Sequence, residues 1–150
     1  MTRDPRYDIL FEPVRIGPVT ARNRFYQVPH CTGIGWTQPE TLARLRGINA
    51  EGGWAVVATE ETEIHPSADC EPCHEGRLWD ERDSPGLAMN ADAIHEHGAL
   101  AAIEIMHHGA SVANWGTRLA PMGPSHRPII YGYPVQARAM LTRTPPIYVI

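Results

Sequence analysis

Cysteine is scarce in this sequence, and so are net charge and long apolar runs. Three cysteines, an odd number, in 150 residues argue against a disulfide framework. Thirteen basic residues face seventeen acidic ones, for a net charge of −4 with histidine neutral. That balance offers no electrostatic case for nucleic acid or an anionic membrane. No stretch approaches the ~20 apolar residues that span a bilayer. The opening Met1-Thr2-Arg3-Asp4-Pro5 lacks the apolar core of a secretory signal, so the default location is cytoplasmic. No Gly-x-Gly-x-x-Gly follows a strand, which argues against a Rossmann dinucleotide site. What is present is ordinary for one modest globular domain, with 43% hydrophobic and 20% charged residues.

The punctuation of the chain suggests alternating strands and helices. Residues 9–25 read as a hairpin, with apolar runs at Ile9–Phe11 and Val14–Ile16 and a turn at Gly17-Pro18. Phe25, Tyr26 and Val28 favour a strand that ends near Pro29. Pro39-Glu40 suits the first turn of a helix. Leu42, Leu45, Ile48 and Asn49 fall near helical spacing, and Gly52-Gly53 ends the run. The nearly unbroken apolar segment 54–58 reads as a strand buried on both faces. A second helix runs from near Pro85 to His97, with Leu87, Ala91 and Ile94 on one face. The segment 100–106 repeats the buried-strand pattern. Strand, helix, strand, helix, strand is a parallel α/β layout, and each strand ends in polar or reactive groups. Pattern alone does not separate a barrel from a doubly wound sheet.

Chemistry-bearing residues gather at those strand ends. Cys31 follows Pro29 and His30 and leads into a loop with Gly33 and Gly35. It is either a small buried hydrophobe or a nucleophile delivered by the strand. His30 assists its deprotonation only if the ring points the same way. Glu61 closes the second strand, as a binding group or a partner for backbone or an arginine. Glu104 follows four apolar residues, as a strand residue pointing to solvent or as a charge that, in a buried strand, needs a partner. His107 and His108 have no further metal ligands at suitable spacing, so no metal site is expected; one supports the site and the other is exposed. Cys70-x-x-Cys73-His74 lies in a polar stretch and reads as surface loop rather than zinc or redox centre. Asn114, Arg118 and the turn at 121–125 carry no assigned role.

Leu10-Phe11-Glu12-Pro13, Ile16-Gly17 and Ala21-Arg22-Asn23-Arg24 together resemble the opening of the old yellow enzyme family of flavin oxidoreductases. The segment 24–31 is similar to one branch of it, the trimethylamine, dimethylamine and histamine dehydrogenases, in which the cysteine is bonded through sulfur to C6 of FMN. The resemblance runs from about Arg3 to Met140 and implies the first three strands of an eight-stranded (β/α)8 barrel, with the hairpin plugging its amino-terminal end. A barrel of that kind typically needs ~250 residues. Residues 1–140 are therefore expected to form the amino-terminal part of an FMN-binding TIM barrel. Residues 141–150, with two prolines and a final apolar run, depart from the family as an atypical tail. The chain is expected to be a fragment or truncated product, inactive alone.

By the same resemblance, Val28, Pro29, His30 and Cys31 hold the flavin, covalently or not, and Glu61 lies close to both flavin and substrate. Trimethylamine dehydrogenase has a tyrosine there, part of an aromatic bowl for the substrate cation. Glutamate cannot reproduce that face, which points instead to a secondary or more polar amine. Glu104 stands where many old yellow enzymes use glutamine, and the amine dehydrogenases glutamate, at the flavin pyrimidine edge. The implied activity is oxidative dealkylation or deamination of a small amine. A hydride equivalent passes to flavin N5, and electrons continue to a 4Fe–4S cluster and an electron-transferring flavoprotein. The catalytic residues, the phosphate-binding groups and the cluster cysteines are expected beyond residue 150, in an enzyme expected to be a homo-oligomer. The competing assignments are an NAD(P)H-dependent ene-reductase of the same family and an inactive product without cofactor.

Overall fold

The computed structural model describes residues 4–69, 75–112, 114, 116–128 and 138–139. Pro5–Phe11 forms a 3-10 helix capped by the Asp4 side chain. β1 (Val14–Ile16) and β2 (Val19–Ala21) follow as an antiparallel hairpin. Gly17 sits in its turn at φ 56, a left-handed conformation that glycine adopts without strain. The expected hairpin is therefore shorter than 9–25. Ile9–Phe11 is the end of a helix because its carbonyls serve as local anchors: Leu10 O accepts from Arg24 N (2.9 Å) and Ile9 O from Arg24 Nε (2.8 Å).

The Arg22-Asn23 pair ties the lower end together. Arg22 donates to the carbonyls of Ala50 (2.7 Å), Trp54 (3.0 Å) and His97 (2.8 Å). Asn23 donates to Gly53 O at 2.9 Å. These carbonyls lie at or just past the helix ends, where the backbone ladders run out, and a guanidinium satisfies several at once. Phe25 then packs edge-on against Phe11 and Trp54, with centroids 5.2 and 6.2 Å away.

β3 is only Tyr26–Gln27, since Pro29 removes a ladder donor two residues later. α1 (Pro39–Glu51) begins on its proline, and Gly53 (φ 106) follows its end. Its buried stripe is Leu42, Ala43, Arg46, Gly47 and Ala50, whereas Leu45 and Ile48 are 38% and 62% exposed. The expected apolar face was thus rotated. Small residues set the contact, because a Cβ on Gly47 would already stand 3.3 Å from Ala93 O of the next helix.

β4 (Val56–Glu63) pairs in parallel with β3 along its first residues. β5 (Gly76–Arg77) joins its carboxyl end, also in parallel. α2 (Ser84–His95) buries Asn90 and Ile94 and ends two residues short of His97, before Gly98 at φ 68. β6 (Leu100–Met106) runs parallel along the whole of β4. The short β7 (Met122–Gly123) and β8 (Arg138–Ala139) pair with each other.

Ala50, Val57, Ile94 and Ala99 form the buried apolar cluster between helices and sheet. Burial of a side chain the size of Val57 or Ile94 stabilises by about 1.5–3 kcal/mol. Among the described residues, β3 and β6 each pair on one side only. None of the described helices is long and apolar enough to cross a membrane. Cys70, Cys73, His74 and the stretch 141–150 lie outside the described residues.

Candidate active site

The carboxyl ends of β3, β4 and β6 bring the expected residues to one side. Cys31 Sγ and one carboxylate oxygen from each of Glu61 and Glu75 all lie within 4.8 Å of one another. Cys31 is exposed, so it is not a buried hydrophobe. Desolvation of its sulfur is still the largest influence on it, followed by a hydrogen bond to Glu75 and the charges of Glu75 and Glu61. Together they push the thiol up to about 12. The Glu75 carboxyl is likewise raised, first by burial and then by neighbouring carboxylates, against the Cys31 hydrogen bond. After burial, the acidic neighbours Glu75 and Glu61 set the environment of the sulfur.

A bulge in β4 aims the glutamates. Ala58 pairs with Ala102 and Glu61 with Glu104, so Thr59 and Glu60 stand opposite Ile103 alone. One extra residue re-aims the side chains that follow. Glu61 consequently reaches Cys31, while Glu60 is fully buried beneath the loop after the cysteine. Its Oε1 accepts from Thr32 N (2.5 Å) and from Thr32 Oγ1, and its Oε2 accepts from Gly35 N (2.9 Å). From α1, Arg46 is 1% exposed and donates Nη2 to His30 O at 2.6 Å. Burial pulls that guanidinium below arginine's ordinary value, while Glu60 and Cys31 act in the opposite direction.

Val28 is 59% exposed beside the half-buried Pro29 and the exposed His30. Val28 O accepts from Gln27 Nε2 at 2.7 Å. Glu104 stands in register with Glu61. The expectation that burial forces a partner on Glu104 does not hold, because Ile103, Glu104 and Ile105 are all exposed at the outer edge of β6.

The histidines differ from expectation as well: His107 and His108 are both half-buried. Ser67 N donates to His65 Nδ1 (3.1 Å) and Gly109 N to His107 Nδ1 (2.9 Å). With both Nδ1 atoms accepting, neutral His107 carries its hydrogen on Nε2 and donates to Ser67 Oγ at 3.0 Å. The Ser67 hydroxyl then donates to His65 Nδ1 at 2.7 Å. Asn114, buried at φ 49, donates to Ser67 O (2.9 Å) and Leu119 O (3.0 Å). It latches the loop after β4 to the loop after β6.

Arg46, Glu60, Ser67 and Glu75 shape this region, and sequence reasoning did not single them out as functional. A signal for the first existed: an arginine one helical turn from both Leu42 and Ala50 breaks an otherwise small and apolar stripe.

Parallel strands with reactive groups at their carboxyl ends, alternating with helices, define an α/β class of enzyme site. Residues 9–130 match the NADH:flavin oxidoreductase / NADH oxidase family, and the chain belongs to it. Over 125 residues it is 46% identical to dimethylamine dehydrogenase of Hyphomicrobium sp. (strain x), covering 83% of this chain and 17% of that protein. Histamine dehydrogenase from Rhizobium sp. 4-9 superposes with a TM-score of 0.86 at 50% identity, over 91% of this chain and 20% of that one. The 6-hydroxypseudooxynicotine amine oxidase from Pseudomonas geniculata N1 gives 0.83 at 47% identity, over 91% and 21%. The chain thus spans about a fifth of these relatives, and its fold is the amino-terminal part of a TIM barrel.

Proposed function

We propose that this chain supplies the flavin-holding edge of an amine-oxidising FMN enzyme, with Cys31 Sγ bonded to C6 of the ring. The observation that carries the reading is the exposed Cys31 thiol at the end of β3, beside the apolar shelf of Val28 and Pro29 and within reach of two carboxylates. That arrangement fits a planar ring approaching edge-on, with an uncovered apolar surface under one face. When bound, the flavin accepts the hydride equivalent from the α-carbon of the amine.

The side chains divide the remaining work. Glu61 pairs with the protonated amine and fixes its α-carbon toward the ring. Glu104 stands in register beside it and would accept from the N–H at the pyrimidine edge. Glu75, hydrogen-bonded to the thiol, would take the sulfur's proton as Sγ replaces the hydrogen on C6; that hydrogen would leave as a second proton, and the electron pair would stay on the ring until dioxygen or the enzyme's own electron acceptor removed it. A carboxylate in place of an aromatic face favours a secondary or more polar amine over a fully substituted one. In the whole enzyme, electrons leave through a 4Fe–4S cluster to an electron-transferring flavoprotein. Residues 1–140 act as one unit in this scheme.

The test is acid precipitation of the FMN-loaded protein. Yellow colour should stay with the pellet and move to the supernatant in Cys31→Ala. Colour in the supernatant of the unaltered protein would sink the covalent reading and favour an ene-reductase.

A further inference from the structure

Cys31 is flanked by two buried charges that hold backbone rather than each other. On its amino side, the His30 carbonyl accepts from Arg46 Nη2 at 2.6 Å; on its carboxyl side, Thr32 N and Gly35 N donate to the two oxygens of Glu60 at 2.5 and 2.9 Å. Arg46 is 1% exposed and Glu60 is not exposed at all. Arg46 Nε is buried with no hydrogen-bond partner. Taking a guanidinium and a carboxylate out of water forfeits solvation that a few hydrogen bonds offset only in part. A loop that needed only to be covered would be stabilised better by apolar residues of the same size. The charges supply direction instead. Carboxylate and guanidinium bonds are short and strong, and they fix residues 30, 32 and 35 from opposite sides.

We propose that Arg46 and Glu60 are positioning residues that clamp the backbone on both sides of Cys31 and so aim its sulfur at the flavin edge. This rests on the reading of Cys31 as the attachment point. It adds that attachment is set by α1 and the β4 bulge, not by the residues that meet the ring. The glycine at 35 belongs to the same device. A Cβ there would sit 2.6 Å from Glu60 Oε2 and 2.6 Å from Glu75 O, so only glycine lets the loop close over the carboxylate.

Two readouts test the clamp. In the first, flavin-free protein is mixed with FMN, and the rate at which flavin becomes resistant to denaturation is followed alongside total flavin bound. Arg46→Met should slow bonding about 100-fold, the effect of a displacement on the order of 1 Å in a reacting pair. Total bound flavin should stay unchanged. Arg46→Lys, which still donates to His30 O, should recover most of the rate. Thr32→Val, which removes one donor to Glu60 and leaves the charges in place, should give an intermediate loss in a fully folded protein.

The second readout needs no flavin: the pH midpoint of Cys31 alkylation. Loss of a nearby positive charge would by itself move that midpoint up. A loop released from its clamp carries the thiol away from Glu75 into water and moves the midpoint down, so a downward shift in Arg46→Met identifies positioning. An upward or absent shift, or bonding at the unaltered rate in Arg46→Met and Thr32→Val, overturns the proposal. If the unaltered protein never bonds flavin, the attachment reading fails, and the alkylation midpoint still decides the clamp.

Discussion

Asp83→Asn should destabilise the protein by about 3 kcal/mol, the low end of the cost of breaking a buried ion pair. Four donors converge on this carboxylate. Oδ1 accepts Arg77 Nε (2.9 Å) and Nη2 (2.6 Å), while Oδ2 accepts the backbone N–H of Trp79 (2.8 Å) and Asp80 (3.3 Å). The Asp83 side chain is wholly buried, and that of Arg77 is 21% exposed. An asparagine can present its oxygen to only one of the two pairs, and its amide then points donors at donors. Each hydrogen bond to a charged group contributes roughly 1.5–3 kcal/mol, and the unpaired Arg77 charge adds to the loss. The partial exposure of Arg77 and its stacking over Trp36 (3.3 Å) and Trp79 (4.7 Å) moderate the total. At ~2–4 °C per kcal/mol for a chain of this size, Tm should fall by about 6–12 °C. Urea unfolding followed by tryptophan emission measures the free-energy loss, and thermal unfolding measures the fall in Tm. The cycle with Arg77→Met should show coupling of at least ~1.5 kcal/mol, because the double variant leaves no stranded charge. A loss below ~1 kcal/mol with additive effects would refute the view that this pair pins β5 to the start of α2.

Gly35→Ala should cost ~2–3 kcal/mol by overpacking, since the blocking Glu75 atom is a backbone oxygen that cannot swing away; a urea midpoint equal to that of the unaltered protein would contradict it. For His107, burial is the largest influence lowering its pKa, followed by the charges of His65 and His108 when protonated. A depressed folded value gives stability that is fully present above the ordinary histidine range and lost as pH falls through that range to the folded value, so urea midpoints should drop on acidification below neutrality. His108, depressed by burial against Glu61 and Asp69, adds a slope of the same sign. His107→Gln should therefore flatten the dependence without abolishing it, and an unchanged slope would count against the Gly109–His107–Ser67 chain as its source.

Elements were legible where local chemistry decides them. Pro39 and Gly53 bracket α1 because one lacks a donor and the other accepts φ 106. Leu100–Met106 reads as a strand whatever packs against it. The hairpin failed over Ile9–Phe11 because an apolar triplet cannot reveal that Arg24 will take the carbonyls of Leu10 and Ile9, 14 and 15 positions earlier. The face of α1 failed for a related reason. Side-chain size at the helix contact outranked hydrophobicity, so Gly47 is buried and Ile48 is 62% exposed.

The convergence of Cys31 and Glu61 was legible in the sequence, and the residues packed around them were not. Cys31, Glu61 and Glu104 sit at strand ends, where the layout alone locates chemistry. Glu60 adjoins Glu61 in sequence, and a regular strand would place the two on opposite faces with no reason to bury either. The bulge changes the count by one residue, and no composition marks it. What makes a buried Glu60 affordable is a set of donors from Thr32 and Gly35, 28 and 25 positions earlier. Those donors exist only because the loop after Cys31 folds back over β4. Two adjacent glutamates thus meet different partners, one gripping backbone and one approaching the Cys31 sulfur. The difference between them is written in the register of β4 against β6 rather than in either residue.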